Sequence, residues 1–201
     1  MTAGVISRID GMGRWEPNAG GRLQQAAIEL YSEHGFDQTT VAEIAARAGL
    51  TERTFFRYFA DKREVLFWGE SQLHQLVVLG VASAPDLASP IDVFAAGLKP
   101  AVATYFKCRP REQARQRHAV IAANAGLQER ELIKLSRLAA GVADALRDRG
   151  IAEPTASLAA EAGVAAFKIA VARWIDDIDG RALSEHIDQL FGNVKALAAL
   201  S

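Results

Sequence analysis

Residues 39–62, with the sequence TTVAEIAARAGLTERTFFRYFADK, decide the fold of this chain. In the first part, 41–48, apolar side chains recur at the three- and four-residue spacing of a helix that buries one face. Thr40 stands just before this segment and Glu43 three residues later, which is the pattern of a capping box. The stretch therefore predicts a short helix whose start is marked by its own side chains.

A second helix follows a glycine turn. Gly49 favours the left-handed backbone conformation that ends a helix, and Thr51 can cap a helix that begins at Glu52. Together they predict a helix-turn-helix unit, in which the second helix enters the major groove of DNA and the first lies across the backbone. The sign of the local charge suits DNA phosphates, because five basic residues surround the second helix: Arg47, Arg53, Arg57, Lys62 and Arg63.

The segment AEIAARAGLTERTFFRYFADKREVL, residues 42–66, resembles the helix-turn-helix signature of the TetR family of transcriptional repressors. The residues that match the pattern after the glycine turn are Phe55, Phe56, Tyr58, Phe59 and Lys62. The resemblance covers residues 22–66, and the rest of the chain is similar only in length and helical character. It implies an all-α fold of about nine helices, with an N-terminal three-helix helix-turn-helix DNA-binding domain followed by a C-terminal helical ligand-binding and dimerisation body.

The second helix carries the candidate DNA-reading residues. We expect Arg53 to contact a base, since an arginine at the start of a recognition helix can bind guanine O6 and N7 together. Phosphate contacts are expected by hydroxyl, backbone amide or ammonium from Thr40, Thr51, Tyr58 and Lys62.

Further members of the DNA-binding set are less sharply defined. Arg57 and Arg22 are each either a DNA contact or a solvated surface charge. Phe56 stands where many relatives carry a tyrosine whose hydroxyl reaches a phosphate, so that this contact should be missing here. Glu52 and Thr54 complete the outward surface of the helix, whereas Phe55 and Phe59 are expected in the core.

The composition excludes several classes of protein. With 201 residues, 50% hydrophobic content and a net charge of −1, the chain is neither disordered nor a non-specific nucleic-acid coat protein. The only cysteine, Cys108, rules out an internal disulfide, and the four histidines are scattered, so we predict no metal site and no cofactor. No apolar run of membrane-spanning length and no signal peptide are apparent, which predicts a cytoplasmic protein without a membrane partner.

Three segments organise the chain: a flexible arm at 1–19, the DNA-binding domain at 20–66 and the helical body at 67–201. A fourth helix is expected to run without interruption from Asp61 past Val77 and so to join domain and body. A loop should follow at 82–90, and a proline inside the next helix should kink or split it.

The body is expected to hold a small-molecule pocket. The basic run at 107–117, KCRPREQARQR, predicts a solvated helical face, or alternatively attraction of the anionic part of a ligand. The acidic residues at 176–179 are expected at a solvated helix end. Aromatic and apolar side chains are the candidate pocket lining, with plain core as the alternative: Trp68, Leu73, Phe94, Tyr105, Phe106, Phe167 and Trp174.

The last two helices are the expected surface of a homodimer, since their small and apolar faces suit close helix packing. The resulting hypothesis is a ligand-responsive repressor that binds a palindromic double-stranded DNA operator as a dimer and is released by an unidentified apolar or amphipathic molecule. The alternative is an all-helical protein-interaction adaptor. An enzyme is not expected, because the sequence shows no nucleophile beside a base and no phosphate loop.

Overall fold

The computed structural model describes residues 18–87, 89–107 and 109–199. Across these residues the chain is all helical, with nine α-helices and one short 3₁₀ turn, as the sequence predicted. The expectations for the N-terminal arm up to Pro17 and for Cys108 lie outside the described residues.

The elements follow one another with short connections. In chain order, the structure contains α1 Ala19–His34, α2 Val41–Arg47, α3 Glu52–Tyr58, the 3₁₀ turn Glu64–Phe67, α4 Glu70–Ala82, α5 Pro90–Phe106, α6 Arg111–Ala122, α7 Ala125–Asp148, α8 Thr155–Asp176 and α9 Leu183–Ala199. The predicted loop at 82–90 therefore lies where expected, between α4 and α5.

The first of two hydrophobic cores holds the N-terminal domain together. It is built from α1, α2, α3 and the 3₁₀ turn around the fully buried Leu23, Ile44 and Phe55. Val120 and Leu127, from α6 and α7, belong to the same cluster. The N-terminal domain is thus packed directly onto one corner of the body.

The second core fills the body between α4, α5, α7, α8 and α9. The backbones of α4 and α5 meet at Gly80 and Gly97, where a side chain on Gly97 would lie 2.5 Å from the Gly80 carbonyl carbon. Gly163 on α8 leaves room for the ring of Phe94, which also packs edge-on against Phe191. Small residues therefore set how closely these helices approach.

The prediction of one uninterrupted fourth helix is wrong. The 3₁₀ turn ends at Phe67, Trp68 takes a non-helical conformation with ψ 128°, and Gly69 is left-handed with φ 84° before α4 starts at Glu70. A glycine adopts this conformation without the steric cost that other residues bear, so the helical pattern can break here. By contrast, α5 continues through Pro100 without splitting.

The expectation that no segment has the length and composition of a membrane span also needs correction. In the described residues α8 meets that test, and 39% of its most apolar window is buried inside the chain. It packs against α7 and α9 and buries small residues such as Ala160 and Ala170, and the apolar core helices of other proteins have the same composition.

Candidate DNA-binding surface and ligand cavity

The helix-turn-helix unit is built by local hydrogen bonds. The Thr40 hydroxyl accepts from the Glu43 amide at 3.2 Å, and the Glu43 carboxylate accepts from the Thr40 amide at 2.8 Å, which confirms the capping box. Gly49 is left-handed with φ 66°, and the Thr51 hydroxyl caps α3 by accepting from the Thr54 amide at 3.2 Å. The predicted turn and both predicted caps are confirmed.

One face of α3 is buried and the opposite face is open. Phe55 and Phe59 point into the core, as expected. Thr54 and Tyr58 are half-buried, and the exposed face carries Glu52, Arg53, Phe56 and Arg57. The structure thus presents a short helix with two arginines and one aromatic ring on its outer surface.

Two of these exposed side chains have few internal contacts. Within the described part of the chain, Arg53 makes no hydrogen bond or ion pair, so its guanidinium can be offered to a partner. Phe56 is 56% exposed and packs edge-to-face with the Phe55 ring, with the centroids 5.5 Å apart. Arg57 lies over the Tyr58 ring, 5.2 Å from its centre.

Lys62 does not fit the predicted phosphate contact. Its ammonium donates to the backbone carbonyls of Phe36 at 2.9 Å, Asp37 at 3.1 Å and Thr39 at 2.9 Å. An ammonium has three hydrogens, and all three are committed to the segment between α1 and α2. The sequence pattern found a lysine that matters, but it secures the loop rather than facing outward.

Arg22 also has an internal contact. Its guanidinium donates to the carbonyl of Ala48, at the C-terminal end of α2. This bond joins α1 to the end of α2, where helix carbonyls lack partners of their own. The phosphate contact expected of Arg22 stays a prediction beside this structural role.

A cavity of about 320 Å³ lies in the body between α4, α5, α6, α7 and α8, and reaches α1 at one end. Its apolar wall contains four of the predicted pocket residues: Leu73, Tyr105, Phe106 and Phe167. The cavity falls at the lower end of the volumes usual for small-molecule sites.

The other three predicted pocket residues lie elsewhere. Trp68 packs edge-on against Tyr58 and Phe59 beside the helix-turn-helix unit. Phe94 is fully buried in the body core, and the ring of Trp174 lies behind Phe106, 5.2 Å away. All three predictions were wrong for the same reason. An aromatic side chain is predicted to be buried, but tertiary packing decides which buried side chains border the cavity.

The polar half of the lining was largely missed from the sequence. It combines two carboxylates with five cations and two histidines: Glu70, Glu131, Arg109, Arg117, Lys134, Arg137, Lys168, His74 and His118. The basic run 107–117 was the one available signal, and it supplies only Arg109 and Arg117. The remaining groups come from distant parts of the chain, so no local pattern joins them.

Arg117, on α6, makes the most contacts of this group. It donates through Nε to the Leu66 carbonyl at 2.8 Å, through Nη2 to Glu70 Oε1 at 2.5 Å and through Nη1 to Glu131 Oε1 at 3.3 Å. Its side chain is 22% exposed. One guanidinium therefore joins α6, α7 and both sides of the break at Gly69.

Arg109 supports the same break from another direction. Its guanidinium donates to the carbonyl of Tyr105 at 2.7 Å and that of Trp68 at 3.5 Å, and it stacks over the Tyr105 ring at 3.9 Å. It also occupies the space next to Gly69, where a larger residue would meet it. The two arginines hold the Trp68–Gly69 connection from two sides.

Glu70 is a buried carboxyl with one unsatisfied oxygen. Among the described residues nothing hydrogen-bonds its Oε2, and the Lys134 ammonium lies 3.9 Å from this oxygen. Burial raises the pKa of Glu70 to about 6, against the opposing effect of Arg117 and Lys134. Lys134 and Arg130 also contact Glu64 in the 3₁₀ turn, at 3.5 and 2.5 Å.

The basic run is only partly a solvated face. Arg111 donates to the carbonyl of Asp177 and Arg115 to that of Ile175 at 2.6 Å, so both bind the C-terminal end of α8. Cations there complement the negative end of the helix dipole. The sequence did not indicate these two contacts, because the carbonyls that attract the arginines lie about sixty residues away in the chain.

The acidic end of α8 is likewise not fully solvated. The side chain of Asp177 is 3% exposed and accepts from His186 Nε2 at 2.7 Å and from Arg181 at 2.9 Å. Burial alone would raise its pKa, but hydrogen bonds from the Asp179 amide, His186 and Arg181 outweigh this and lower the pKa of Asp177 to about 2. The carboxylate fastens α9 to the end of α8.

The outer surfaces of α8 and α9 keep apolar side chains in solvent. Leu158 and Ile169 on α8 and Leu197 on α9 are 66%, 46% and 70% exposed in the single chain. Homodimerisation through these helices stays a prediction. Among the described residues no three metal-binding side chains come together.

Comparison with known proteins agrees with this geometry. Residues 23–67 match the bacterial regulatory proteins of the tetR family. MftR of Mycobacterium tuberculosis, named as a candidate transcriptional regulator of mycofactocin biosynthesis, is 36% identical over 75 residues, or 37% of each chain. The chain thus spans little more than a third of the length of this curated relative, and the match is confined to one part of it.

Solved structures resemble the fold over most of its length. SmeT of Stenotrophomonas maltophilia, in complex with triclosan, has a TM-score of 0.59 at 19% identity and covers 89% of this chain and 90% of its own. FadR of Thermus thermophilus, a TetR-family repressor in complex with lauroyl-CoA, has a TM-score of 0.52 at 22% identity and covers 87% and 92%. At these identities the likeness concerns the fold alone, whereas the match of residues 23–67 concerns sequence. The sequence match to the tetR family of bacterial regulatory proteins thus covers residues 23–67, and beyond these residues the likeness is one of fold.

Proposed function

We propose that this protein is a ligand-responsive transcriptional regulator, a repressor that binds a palindromic operator as a homodimer in the bacterial cytoplasm. The observation that carries the proposal is the outer face of α3, where Arg53 stands exposed on a helix of the helix-turn-helix unit and has no hydrogen-bond or ion-pair partner among residues 18–199 as far as the structure describes them. Residues 20–66 would be the DNA-binding domain and 67–201 the ligand-binding and dimerisation body.

The DNA contacts follow from the geometry of that face. Arg53 would bind guanine in the major groove, and Glu52, Thr54 and Phe56 would lie along the same groove wall. The remaining candidates would meet the phosphates by hydroxyl, backbone amide or guanidinium: Arg22, Thr40, Thr51, Arg57 and Tyr58. Lys62 would act indirectly, through the loop it secures.

A dimer is proposed because a palindromic operator needs two recognition helices. Successive major grooves on one face of DNA repeat about every 34 Å, so two copies must hold their α3 helices at that distance or a multiple of it. The exposed apolar side chains of α8 and α9 supply a surface that a second copy could bury.

The cavity would receive the ligand that controls DNA binding. SmeT and FadR, which share the fold, are solved with triclosan and with lauroyl-CoA. An apolar wall beside a polar one in this chain supports a small apolar or amphipathic ligand. A coupling free energy of about 1–3 kcal/mol would change operator affinity roughly 5- to 150-fold.

The proposal is tested by fluorescence anisotropy of the purified chain on DNA from upstream of its own gene, with unrelated competitor DNA. A regulator shows a strong sequence preference. A protein-interaction adaptor, the alternative favoured by the exposed apolar side chains of α8, shows none above the competitor.

Arg53→Ala is the first variant to compare. We expect it to lose base discrimination at one symmetric pair of operator positions, by roughly tenfold, because a bidentate arginine–guanine contact is worth about 1–3 kcal/mol. Arg57→Ala, which removes an equal charge from the same helix, should weaken binding to all sequences alike. Identical effects of the two variants on sequence preference would contradict the base-reading role of Arg53.

A further inference from the structure

The connection between the DNA-binding domain and α4 depends on side chains of the cavity. The chain breaks its helical pattern at Trp68 and Gly69, so no continuous row of helix hydrogen bonds carries position across this point. Arg117 spans the gap, with the Leu66 carbonyl on one side and the Glu70 carboxylate on the other. One support for the orientation of α4 relative to the 3₁₀ turn is therefore a guanidinium that also borders the cavity.

The carboxylate that Arg117 binds, that of Glu70, lacks part of its hydrogen bonding. Glu70 uses one oxygen for Arg117, while its other oxygen is buried without a hydrogen bond from the described residues. Burial raises its pKa to about 6, so the cost of neutralising it near physiological pH is small. A better hydrogen-bonded anion in the cavity could take its place at the guanidinium.

The charge of the cavity favours such an anion. Its lining holds five lysines and arginines against two glutamates, beside an apolar wall formed by Leu73, Phe106 and Phe167. An arginine is suited to bind carboxylate or phosphate oxygens in pairs. A ligand that fills both parts must carry an acidic head and a short apolar tail.

We propose that an amphipathic carboxylate or phosphate in the cavity replaces Glu70 at Arg117 and thereby loosens the break at Trp68–Gly69, which releases the DNA-binding domain from its operator geometry. This inference rests on the proposed function and adds the chemical class of the ligand and the residue through which it acts. Arg117 is a positioning residue for DNA binding and a binding residue for the ligand.

Proton uptake accompanies the exchange. Displaced from Arg117 beside a second anion, Glu70 takes a proton from solvent, so the affinity for the anion rises as pH falls from 8 towards 6. The charged or titratable groups that face Glu70 are Arg117 from α6, Glu131 and Lys134 from α7, Glu64 from the 3₁₀ turn and Tyr105 from α5. His74 and His118 also border the cavity, so the contribution of Glu70 is isolated by comparison with Glu70→Gln.

The probe is decanoate, because its ten-carbon chain suits a small cavity. It is used below its micelle concentration. Methyl decanoate has the same chain without charge, decyltrimethylammonium reverses the charge, and decyl phosphate separates a phosphate from a carboxylate requirement. We expect calorimetry to show binding of one or both anions, with methyl decanoate at least about tenfold weaker because a hydrogen bond to a charged group is lost. Equal binding of decanoate and its methyl ester overturns the proposal.

Two variants test the bridge itself. Arg117→Gln should weaken decanoate binding about tenfold or more, whereas Glu70→Gln should strengthen it severalfold and flatten its pH dependence, since no carboxylate has to be displaced. Lys99→Gln is the matched control, because it removes one cation from an ion pair with Asp188 outside the cavity. If Arg117→Gln does not fold, Glu70→Gln alone decides: unchanged affinity and unchanged pH dependence refute the exchange.

The structural consequence is measured without DNA. Decanoate should speed amide hydrogen exchange at residues 64–70 and leave the crossing of α4 and α5 protected; no change at 64–70 overturns the inference. With operator DNA present, decanoate should lower affinity at least fivefold. A chain that shows no sequence preference for DNA refutes the proposed function, while calorimetry and hydrogen exchange still decide the inference.

Discussion

The two ends of α4 are held in opposite ways. At its C-terminal end, the backbones of Gly80 and Gly97 are so close that a methyl group on either would meet the neighbouring main chain. At its N-terminal end, the break at Gly69 is held by the side chains of Arg109 and Arg117. Backbone contact leaves no alternative arrangement, whereas a guanidinium can change partners. The comparison indicates a fixed pivot at one end and an adjustable joint at the other.

The largest effect is expected at the pivot. Gly97→Ala places a methyl group 2.5 Å from the Gly80 carbonyl carbon and 2.8 Å from the Val81 Cα, so α4 and α5 must move apart. We expect the free energy of unfolding to fall by about 2–3 kcal/mol, the usual cost of overpacking where neither neighbour can yield. Urea denaturation measures this change.

Gly192→Ala is the control for that prediction. Gly192 lies on α9, and no described residue comes within 4 Å of its added methyl group, so alanine should stabilise the helix by about 0.5–1 kcal/mol. A similar stabilisation by Gly97→Ala would show that the close crossing of α4 and α5 is not a constraint.

A smaller loss of stability is expected at the joint. Gly69→Ala forces a residue with a side chain into a left-handed conformation, at a cost of about 1–2 kcal/mol, and displaces Arg109. Operator affinity should fall as well, because the joint loses the support of Arg109. Chemical denaturation and fluorescence anisotropy measure the two quantities.

Gly150→Ala is the control that separates the two effects of Gly69→Ala, which are the strain of a left-handed backbone and the displacement of Arg109. Gly150 has nearly the same conformation, φ 87°, but nothing lies within 4 Å of its added methyl group. The control should lose comparable stability and keep operator affinity. If both variants lose affinity equally, the joint has no special role.

The smallest effect is the pH dependence caused by Glu70. Its folded pKa, about 6, is above the ordinary value of 4.5, so the folded state holds more protons between these values. Its contribution to stability is therefore greatest below pH 4.5 and is lost as pH rises through 6, by an amount on the order of 1 kcal/mol. Urea titrations from pH 4.5 to 8 measure the free energy of unfolding of the wild type and of Glu70→Gln. If the Glu70 carboxyl is not buried, the difference between the two proteins should not change with pH.

Asp177 is an internal control for this pH series, because its pKa is lowered in the folded state whereas that of Glu70 is raised. Its folded pKa of about 2 is below the ordinary value of 3.8, so its contribution is complete above pH 3.8 and is lost as pH falls through 2. Glu70→Gln should leave that acid limb unchanged. The contrast arises from hydrogen bonding, because the Asp177 carboxylate has three hydrogen-bond donors. One oxygen of the Glu70 carboxylate has no donor in the part of the chain that the structure describes.

The helix-turn-helix unit could be predicted from the sequence in detail. The caps at Thr40 and Thr51, the turn at Gly49 and the inward direction of Phe55 were all predicted and are all observed. Each depends on contacts between residues three or four apart, which sequence spacing displays directly. The lining of the cavity could not be predicted in the same way, because Trp68, Phe94 and Trp174 are as aromatic as the residues that do border it.

The sequence by itself determined the helices, their order and the outward face of α3, since these follow from local hydrogen bonding and the periodic burial of apolar side chains. Only the tertiary structure decided that Lys62 turns inward, that the fourth helix breaks at Gly69 and that Arg117 meets Glu70 beside a cavity. Those outcomes depend on backbone carbonyls and carboxylates brought together from separate helices, and electrostatic pairing over such distances leaves no periodic trace along the chain.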